Sequence, residues 1–429
     1  MAVTSDAGPN RGRPSSWSAA VDQLCFGDET TRRLILVSAG NIRDGLSKAG
    51  YPSRNETELI ENPAQAWNAL TVGACTEKST LVDPSFAGWE PVAPVGDLCP
   101  TSRTSLMWER QWPIKPEVVL EGGNWAAMGE QYDCPDDLGI LTTFRDPATR
   151  HFDIFRDTSA ATELASNMAG RLLATMPERW PETIRALIVH SAEWTPAMRQ
   201  HFQSEQQKLN VLRKYGYGVP SFERAALSAA NDLTLIAEDE LQPLIKDGGI
   251  KSGNMNVHHL QWPRAELETM GALEVELRVT LSYYVEPNPG ERGWLRRHRY
   301  ASHALRFEVK RALESVDEFR LRVNAAAKAD EEGLMPVKGG ADTWELGPRI
   351  RNAGSIHSDC WRGSAAELAK RSAIGVYPVG GWWKENPAHA RYDRKVRYAL
   401  IVSIRALNST IDIYSPVAVK IETSSGIMV

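Results

Sequence analysis

The chain has 429 residues, of which 42% are hydrophobic and 24% charged, and this composition is ordinary for a globular protein with more than one domain. Its formal net charge of −5 argues against a general nucleic-acid binder, because such proteins usually carry a basic field. No run of about 18 apolar residues is present and the N-terminus is polar, so we expect neither a transmembrane helix nor a signal peptide.

The cysteines are odd in number, scattered, and form no CxxC pair: Cys25, Cys75, Cys99, Cys134 and Cys360. This pattern predicts reduced thiols in a cytoplasmic protein, and it argues against a disulfide framework or a zinc site. We therefore expect no metal and no cofactor.

Three regions of the chain differ in their patterns. Residues 1–200 alternate short strand-like runs with helical patterns, which predicts an α/β domain with a parallel sheet. Residues 201–250 are polar and have a pattern typical of helices, and we interpret them as a helical connector. Residues 251–429 alternate apolar and polar positions, which predicts an antiparallel β-sandwich of jelly-roll type. Its clearest strands are expected at 273–285, 304–311, 396–406 and 411–422.

The first region opens with a helical pattern, "SWSAAVDQLCF" (16–26). "RRLILVSAGN" (32–41) then has an apolar run typical of a strand buried on both faces, followed by a tight turn and Asn41. "PAQAWNALTVGACT" (63–76) predicts a helical turn and a second buried strand, and "KPEVVLEGG" (115–123) predicts a third strand that ends in a Gly-Gly turn.

A helix is predicted to follow in "FRDTSAATELASNMAGRLL" (155–173), with Ser159 in its first turn. Its larger apolar residues recur every four positions beside alanines: Leu164, Met168, Leu172 and Met176. A serine at this place lies in the positive end of the helix dipole, which suits a developing oxyanion. The ordinary alternative is a capping serine, since Asp157, Thr158 and Ser159 all offer capping groups.

Four motifs in order, SAGN (38–41), LTVGA (70–74), KPEVVLEGG (115–123) and DTSAAT (157–162), resemble those of the subtilases, the subtilisin-like serine peptidases. The resemblance covers roughly residues 15–195. It implies a partial subtilisin-like parallel sheet with flanking helices, followed by the β-sandwich.

The resemblance also implies roles for two residues. Ser159 corresponds to the nucleophile, and Asn41 corresponds to the side-chain donor to the oxyanion, with the Ser159 N–H as the second donor. Two rigidly held donors of this kind stabilise the charge that develops on the carbonyl oxygen during peptide hydrolysis. For Asn41 taken alone, a plain turn residue is the alternative.

The sequence departs from the subtilase pattern in two places. Asp157 stands where the family usually has glycine, and we expect its side chain to crowd the substrate or to place a negative charge near the oxyanion. Glu121 and Gly122 replace the usual small residue and proline of the turn after the third strand. Neither change removes the proposed catalytic atoms.

A serine nucleophile needs an oriented base, and the base is missing from its expected place. In subtilases the chain order is Asp, His, Ser, so the D-T-G and H-G-T motifs precede SAGN. The forty residues before Asn41 contain no histidine and no D-T-G. We therefore expect the sequence to begin inside the catalytic domain, with the Asp and His supplied upstream or by another chain.

The histidines within the sequence are poor substitutes for that base. His151 lies eight residues before Ser159, and an extended run of that length separates two residues by ~25 Å at about 3.3 Å per residue. His190 ends a helical pattern, where helix capping explains it. His258 and His259 have no acidic partner at zinc spacing, so we interpret them as surface or packing residues.

Trp361, Trp382 and Trp383 give the C-terminal region its aromatic character. They have the side chains to line a carbohydrate or peptide groove. The favoured interpretation is that they fill and cap the core of the sandwich.

The sequence therefore predicts a subtilisin-like serine endopeptidase that cleaves polypeptides through an acyl-enzyme. The alternative is a catalytically inactive, truncated subtilase that acts as a binding or scaffold module. Expected partners are a polypeptide substrate and a separate chain with the Asp/His half. The β-sandwich resembles that of large bacterial cytoplasmic subtilases, some of them encoded beside an AAA-class ATPase, which implies such an ATPase as a partner. No nucleic-acid or membrane partner is expected.

Overall fold

The computed structural model describes residues 1–6, 11–28, 31–44, 50–226, 232–259, 263–290, 294, 296–331, 344–371, 373–386, 388 and 390–407. The chain forms two compact units, Met1–Ala225 and Ala226–Val429.

The first unit is an α/β structure. Its helices are α1 (Ser16–Phe26), α2 (Ser53–Thr57), α3 (Asp157–Thr175), α4 (Pro181–His190), α5 (Pro196–Arg199), α6 (Glu205–Tyr215) and, at its end, α7 (Phe222–Ala226). Its strands are β1 (Leu36–Ser38), β2 (Leu70–Thr76), β3 (Glu90–Pro91), β4 (Asp97–Leu98), β5 (Val118–Glu121), β6 (Ala126–Met128), β7 (Gln131–Asp133), β8 (Ile140–Thr143) and β9 (Phe152–Phe155).

A parallel sheet built on β2 forms the centre of this unit. β2 pairs in parallel with β1 on one side and with β5 on the other, and β4 pairs antiparallel with its last residues. Every residue of β2 is buried, as expected for a strand covered on both faces. The carboxyl ends of β1, β2 and β5 meet at the same edge of the sheet, and α3 begins there, where Asp157 N–H donates to Gly122 O after β5 (2.7 Å).

α3 packs against β1, β2 and β5 through a face made of small side chains. Its buried apolar residues are Ala160, Ala161, Ala165, Met168, Ala169 and Leu172. The predicted stripe was wrong at Leu164, which is 37% exposed. Alanines face the sheet in its place because they let the helix backbone come closer to the strands.

Gly122, which follows β5, lies close to the start of α3. A Cβ at this position would lie 2.5 Å from Ala74 Cβ and 2.9 Å from Asp157 O. Any side chain would therefore push the first turn of α3 away from the end of β5. The glycine of the predicted Gly-Gly turn is required by this packing, and it fixes where α3 begins.

A buried ionic cluster closes the opposite end of the sheet, before β2 and β5. Glu117 Oε1 lies 2.5 Å from Lys115 Nζ and 3.4 Å from Arg185 Nη2, and all three side chains are buried. The other carboxylate oxygen accepts from Thr71 N–H (2.7 Å). Burial lowers the pKa of Lys115, while the charges of Glu117 and Asp22 oppose that shift. Glu117 is therefore the carboxylate that contacts both buried cations.

We predict that Glu117→Gln costs about 3–5 kcal/mol of the free energy of unfolding, because it leaves two buried cations without this counter-charge. Urea denaturation of the full chain measures the loss. Asp153→Asn is the matched control, since it breaks an exposed pair with Arg150 that should contribute less than about 1 kcal/mol. Equal small losses for the two variants would contradict a stabilising role for the cluster.

The second unit is rich in antiparallel strands. They are β10 (Asp232–Leu241), β11 (Leu244–Lys246), β12 (Ile250–Ser252), β13 (Asn256–His259), β14 (Glu274–Tyr283), β15 (His303–Val309), β16 (Ile356–Ser364), β17 (Ala373–Gly380) and β18 (Val396–Ala406). Its helices are α8 (Arg264–Met270), α9 (Arg297–Tyr300), α10 (Val316–Glu331), α11 (Pro348–Arg351), α12 (Ala365–Leu368) and α13 (Trp382–Glu385).

Two sheets make up the core of this unit, with strand orders β10-β18-β14-β16 and β13-β17-β15. Side chains join the sheets: His258 Nε2 lies 2.7 Å from Tyr398 OH, and the rings of Tyr283 and His303 are 5.7 Å apart. α10 packs against β17, and Phe319 belongs to the buried cluster between them. The β-sandwich expected from the alternating pattern is therefore present in outline.

Most of the predicted strands are confirmed. The patterns at 273–285, 304–311 and 396–406 form β14, β15 and β18. The strand predicted at 411–422 lies outside the described residues.

The segment 201–250 differs from the predicted helical connector. Its first part does form α6 and α7, and both belong essentially to the first unit. From Asp232 onward it forms strands, because β10 pairs along its whole length with β18. This pairing overrides the helical preference of its acidic residues.

The three tryptophans of the C-terminal region are core residues. Trp361, Trp382 and Trp383 are each 2% exposed or less. The indole N–H groups of Trp382 and Trp383 donate to the backbone carbonyl (3.0 Å) and the carboxylate (2.7 Å) of Glu286, respectively. The packing interpretation is confirmed by the burial of the three rings.

Candidate active site

The backbone of Asn41 is fixed by a neighbouring segment, Thr101–Arg103. Asn41 forms an isolated β-bridge with Ser102, and Ile42 N–H donates to Thr101 O (2.8 Å). Arg103 Nε also donates to Asn41 O (3.0 Å). The residue that follows β1 is thereby held in one position.

The side chain of Asn41 reaches the first turn of α3. Its Oδ1 accepts from Thr158 N–H (3.1 Å) and from Thr158 Oγ1 (2.6 Å). A backbone N–H can only donate, so this contact identifies the oxygen of the amide and places the NH2 group on the other side. Within the described part of the chain, Asn41 Nδ2 has no hydrogen-bond acceptor, and it is free to donate to a bound group.

Ser159 is the third residue of α3, and Arg156 occupies the cap position. The interpretation of Ser159 as a plain capping residue is therefore wrong. Its side chain is half-buried. Ser159 directly follows Thr158, whose N–H and hydroxyl donate to Asn41 Oδ1. The two predicted site residues, Asn41 and Ser159, therefore lie close together.

The backbone N–H groups at the start of α3 differ in whether they have a hydrogen-bond acceptor. Asp157 N–H donates to Gly122 O (2.7 Å), and Thr158 N–H donates to Asn41 Oδ1 (3.1 Å). The N–H of Ser159 has no acceptor among the residues that the structure describes. The first N–H groups of a helix lack intrahelical partners, so this one remains available to a ligand.

Asp157, which replaces the family's glycine, adopts a left-handed backbone with φ of 66°. Aspartate tolerates this region better than most residues do. Its carboxylate accepts a hydrogen bond from Thr101 Oγ1 (2.6 Å). Burial raises the pKa of Asp157, and the Thr101 hydroxyl opposes that shift. The carboxylate is thus engaged with Thr101.

Glu121, at the second departure from the family pattern, stabilises the turn that follows β5. Its two carboxylate oxygens accept from Gly123 N–H and from Glu77 N–H, both at 2.7 Å. These bonds hold the turn between β5 and the following segment, where the family has a rigid proline.

The described structure contains no hydrogen bond from a histidine to Ser159. His151 is exposed beside β9, and His190 is buried as the last residue of α4, where the sequence predicted a helix end. Across the described ranges, no group of three or more His, Cys, Asp or Glu side chains is arranged to hold a metal ion. None of the described helices is long and apolar enough to cross a membrane.

The first unit of the chain matches a known protein family. The model of the subtilase family matches residues 1–218. This chain belongs to the subtilase family, a family of serine peptidases. It is also 28% identical over 365 residues to the uncharacterized protein y4bN of Sinorhizobium fredii (strain NBRC 101917 / NGR234), a match that covers 80% of this chain and 78% of that protein.

Solved structures similar to the chain are subtilisin-like proteases. A protease of Pseudoalteromonas arctica PAMC 21717 matches at 14% identity and a TM-score of 0.27, with 45% of this chain and 42% of that chain covered. MycP1 of Mycobacterium smegmatis matches at 16% identity and a TM-score of 0.25, with 46% and 42% covered. The chain thus spans less than half the length of these proteases.

The sequence patterns did not identify the residues whose hydrogen bonds fix Asn41 and Asp157. Thr158 lay inside a quoted motif, yet its role as the double donor to Asn41 was not recognised. Thr101 and Arg103 belong to no motif, and they act through contacts distant in sequence. One signal was available: aspartate at position 157 in place of glycine indicates a carboxylate that needs a hydrogen-bond donor nearby.

We predict that Asp157→Asn stabilises the chain at neutral pH relative to the natural sequence. Folding raises the pKa of Asp157, so the natural carboxyl favours folding below its unfolded pKa of about 3.9 and loses that contribution as the pH rises through the folded value. Asparagine keeps an acceptor for Thr101 and tolerates the left-handed backbone.

Urea denaturation of both chains from about pH 4 to pH 7 tests this expectation. The free energy of unfolding of the variant, relative to the natural chain, should increase as the pH rises. A difference that is constant with pH, or that decreases, would show that Asp157 has no raised pKa.

Proposed function

We propose that this chain carries the nucleophile and the oxyanion-binding groups of a subtilisin-like serine endopeptidase. Ser159 Oγ attacks the carbonyl carbon of a peptide bond, and collapse of the tetrahedral intermediate releases the amine and leaves an acyl-enzyme. Water then hydrolyses the acyl-enzyme. Asn41 Nδ2 and Ser159 N–H donate to the carbonyl oxygen while it carries the negative charge.

The pair of hydrogen bonds from Thr158 to Asn41 Oδ1 is the observation that supports this proposal best. It orients the amide before substrate binds, so the donor needs no rearrangement when charge develops. In subtilisin, removal of the corresponding asparagine lowers turnover by about 10²–10³. We carry the same expectation over to Asn41.

The position of Ser159 in α3 adds to the stabilisation. The helix has 19 residues, and the aligned peptide dipoles place about half a positive charge at its N-terminus. An oxyanion beside the first turn is stabilised by this field and by a hydrogen bond from the available N–H of Ser159. The same field favours the ionised form of the nucleophile.

The base that takes the Ser159 proton is proposed to come from outside residues 1–429. A serine hydroxyl is a weak nucleophile without an oriented base, and the sequence before Asn41 has neither of the expected Asp and His motifs. We propose that a preceding segment or a separate chain supplies this half. An AAA-class ATPase stays a proposed partner from the resemblance of the β-sandwich alone, and the free cysteines support a cytoplasmic location.

We predict that a fluorophosphonate probe does not label the purified chain by itself, because such a probe reacts with serines activated by a base. Addition of the polypeptide that carries the D-T-G and H-G-T motifs, sought in the reading frame upstream, should produce labelling at Ser159. Labelling is detected by gel fluorescence and located by peptide mass mapping.

Ser159→Ala should abolish the labelling, and Ser166→Ala, a serine farther along the same helix, should not. Labelling that survives in Ser159→Ala, or its absence with the Asp/His half bound, would contradict the nucleophile and favour an inactive scaffold. Ser159-dependent labelling of the chain alone would mean that the base lies within these 429 residues.

A further inference from the structure

Thr101 touches both halves of the proposed site. Its backbone carbonyl accepts from Ile42 N–H (2.8 Å), in the residue after Asn41. Its hydroxyl donates to Asp157 Oδ1 (2.6 Å), two residues before Ser159. The oxyanion donor and the nucleophile are carried on segments far apart in sequence, and this buried threonine contacts both.

The direction of the Thr101 hydrogen bond is set by its surroundings. Thr101 Oγ1 lies 3.3 Å from Cys99 Sγ, and both side chains are buried. Burial, with the nearby charge of Asp157, raises the pKa of Cys99 to about 12. The thiol is therefore protonated at neutral pH, and its one proton can be donated to Thr101 Oγ1 or to Gly122 O (3.8 Å). The threonine proton is then directed at the Asp157 carboxylate, since an ionised carboxylate only accepts.

We propose that Thr101 is a positioning residue. It keeps Asn41 and the first turn of α3 in the relative position, called their register below, in which Thr158 donates to Asn41 Oδ1. The left-handed backbone at Asp157 requires support from its surroundings, and the Thr101 hydroxyl supplies a charge-assisted bond there. Without that bond the turn gains freedom, and the hydrogen bonds from Thr158 to Asn41 open more often. The catalytic meaning of this inference rests on the proposed function, whereas the structural register does not.

The test replaces the hydroxyl in the full chain by Thr101→Val and measures amide hydrogen exchange at Thr158 by NMR. Thr158 N–H donates to Asn41 Oδ1, so its exchange reports directly on the register. We expect exchange about tenfold faster than in the natural chain. Thr101→Ser keeps the hydroxyl and should restore the natural rate. Unchanged exchange in Thr101→Val would overturn the proposal.

Thr104→Val is the matched control. Thr104 is a buried threonine of the same segment, and its hydroxyl donates to Asn55 O (2.7 Å) and not to α3. A purely structural effect would move Thr158 exchange in both valine variants to the same extent. The proposal expects the change only in Thr101→Val.

A second variant keeps the test decisive if Thr101→Val does not fold. Asp157→Gly removes the acceptor while glycine accepts the left-handed backbone without strain. After correction of the intrinsic exchange rate for the changed neighbour, Thr158 should again exchange about tenfold faster. A natural rate in this folded variant would contradict the proposal.

Fluorophosphonate labelling in the presence of the Asp/His half separates this inference from the proposed function. Ser159-dependent labelling of the natural chain, with exchange and labelling unchanged in Thr101→Val, would support the peptidase and overturn the positioning role. Faster exchange in Thr101→Val without labelling of any chain would support the positioning role and contradict the peptidase.

Discussion

The proposed site depends on one contact, the pair of hydrogen bonds that Thr158 donates to Asn41 Oδ1. The contact joins the end of β1 to the start of α3, and it decides which way the Asn41 amide faces. Two donors on one oxygen leave the NH2 group without a role in this contact, so it remains able to donate to a bound group. The oxyanion-binding role proposed for Asn41 rests on that arrangement.

The rest of the first unit holds this contact in place. The parallel strands bring their carboxyl ends to one edge, and the glycine at 122 with the alanine face of α3 allows the helix to begin against that edge. Backbone hydrogen bonds with the Thr101–Arg103 segment, together with one from the Arg103 side chain, fix Asn41 on one side. The left-handed turn at Asp157 fixes the entry to the helix on the other. Packing and hydrogen bonds therefore position Asn41 and the first turn of α3.

The sequence was sufficient for features encoded locally. The strand before Asn41 and the helix that holds Ser159 follow from apolar runs, turn residues and motif order. Local preference failed at residues 232–241, where acidic residues indicated a helix and pairing with β18 produced a strand. It also gave no sign of Thr101, whose role depends on two segments far away in the chain. Contacts of that kind depend on the tertiary fold, which no local pattern encodes.

Amide hydrogen exchange at Thr158 in Asn41→Ala and Asn41→Asp tests the central contact most directly. The aspartate keeps an oxygen acceptor, so the account predicts that Thr158 remains protected in Asn41→Asp and loses protection in Asn41→Ala, since a first-turn N–H has no intrahelical partner. Equal protection of Thr158 in both variants and the natural chain would show that Asn41 does not hold the first turn of α3, and would contradict the account.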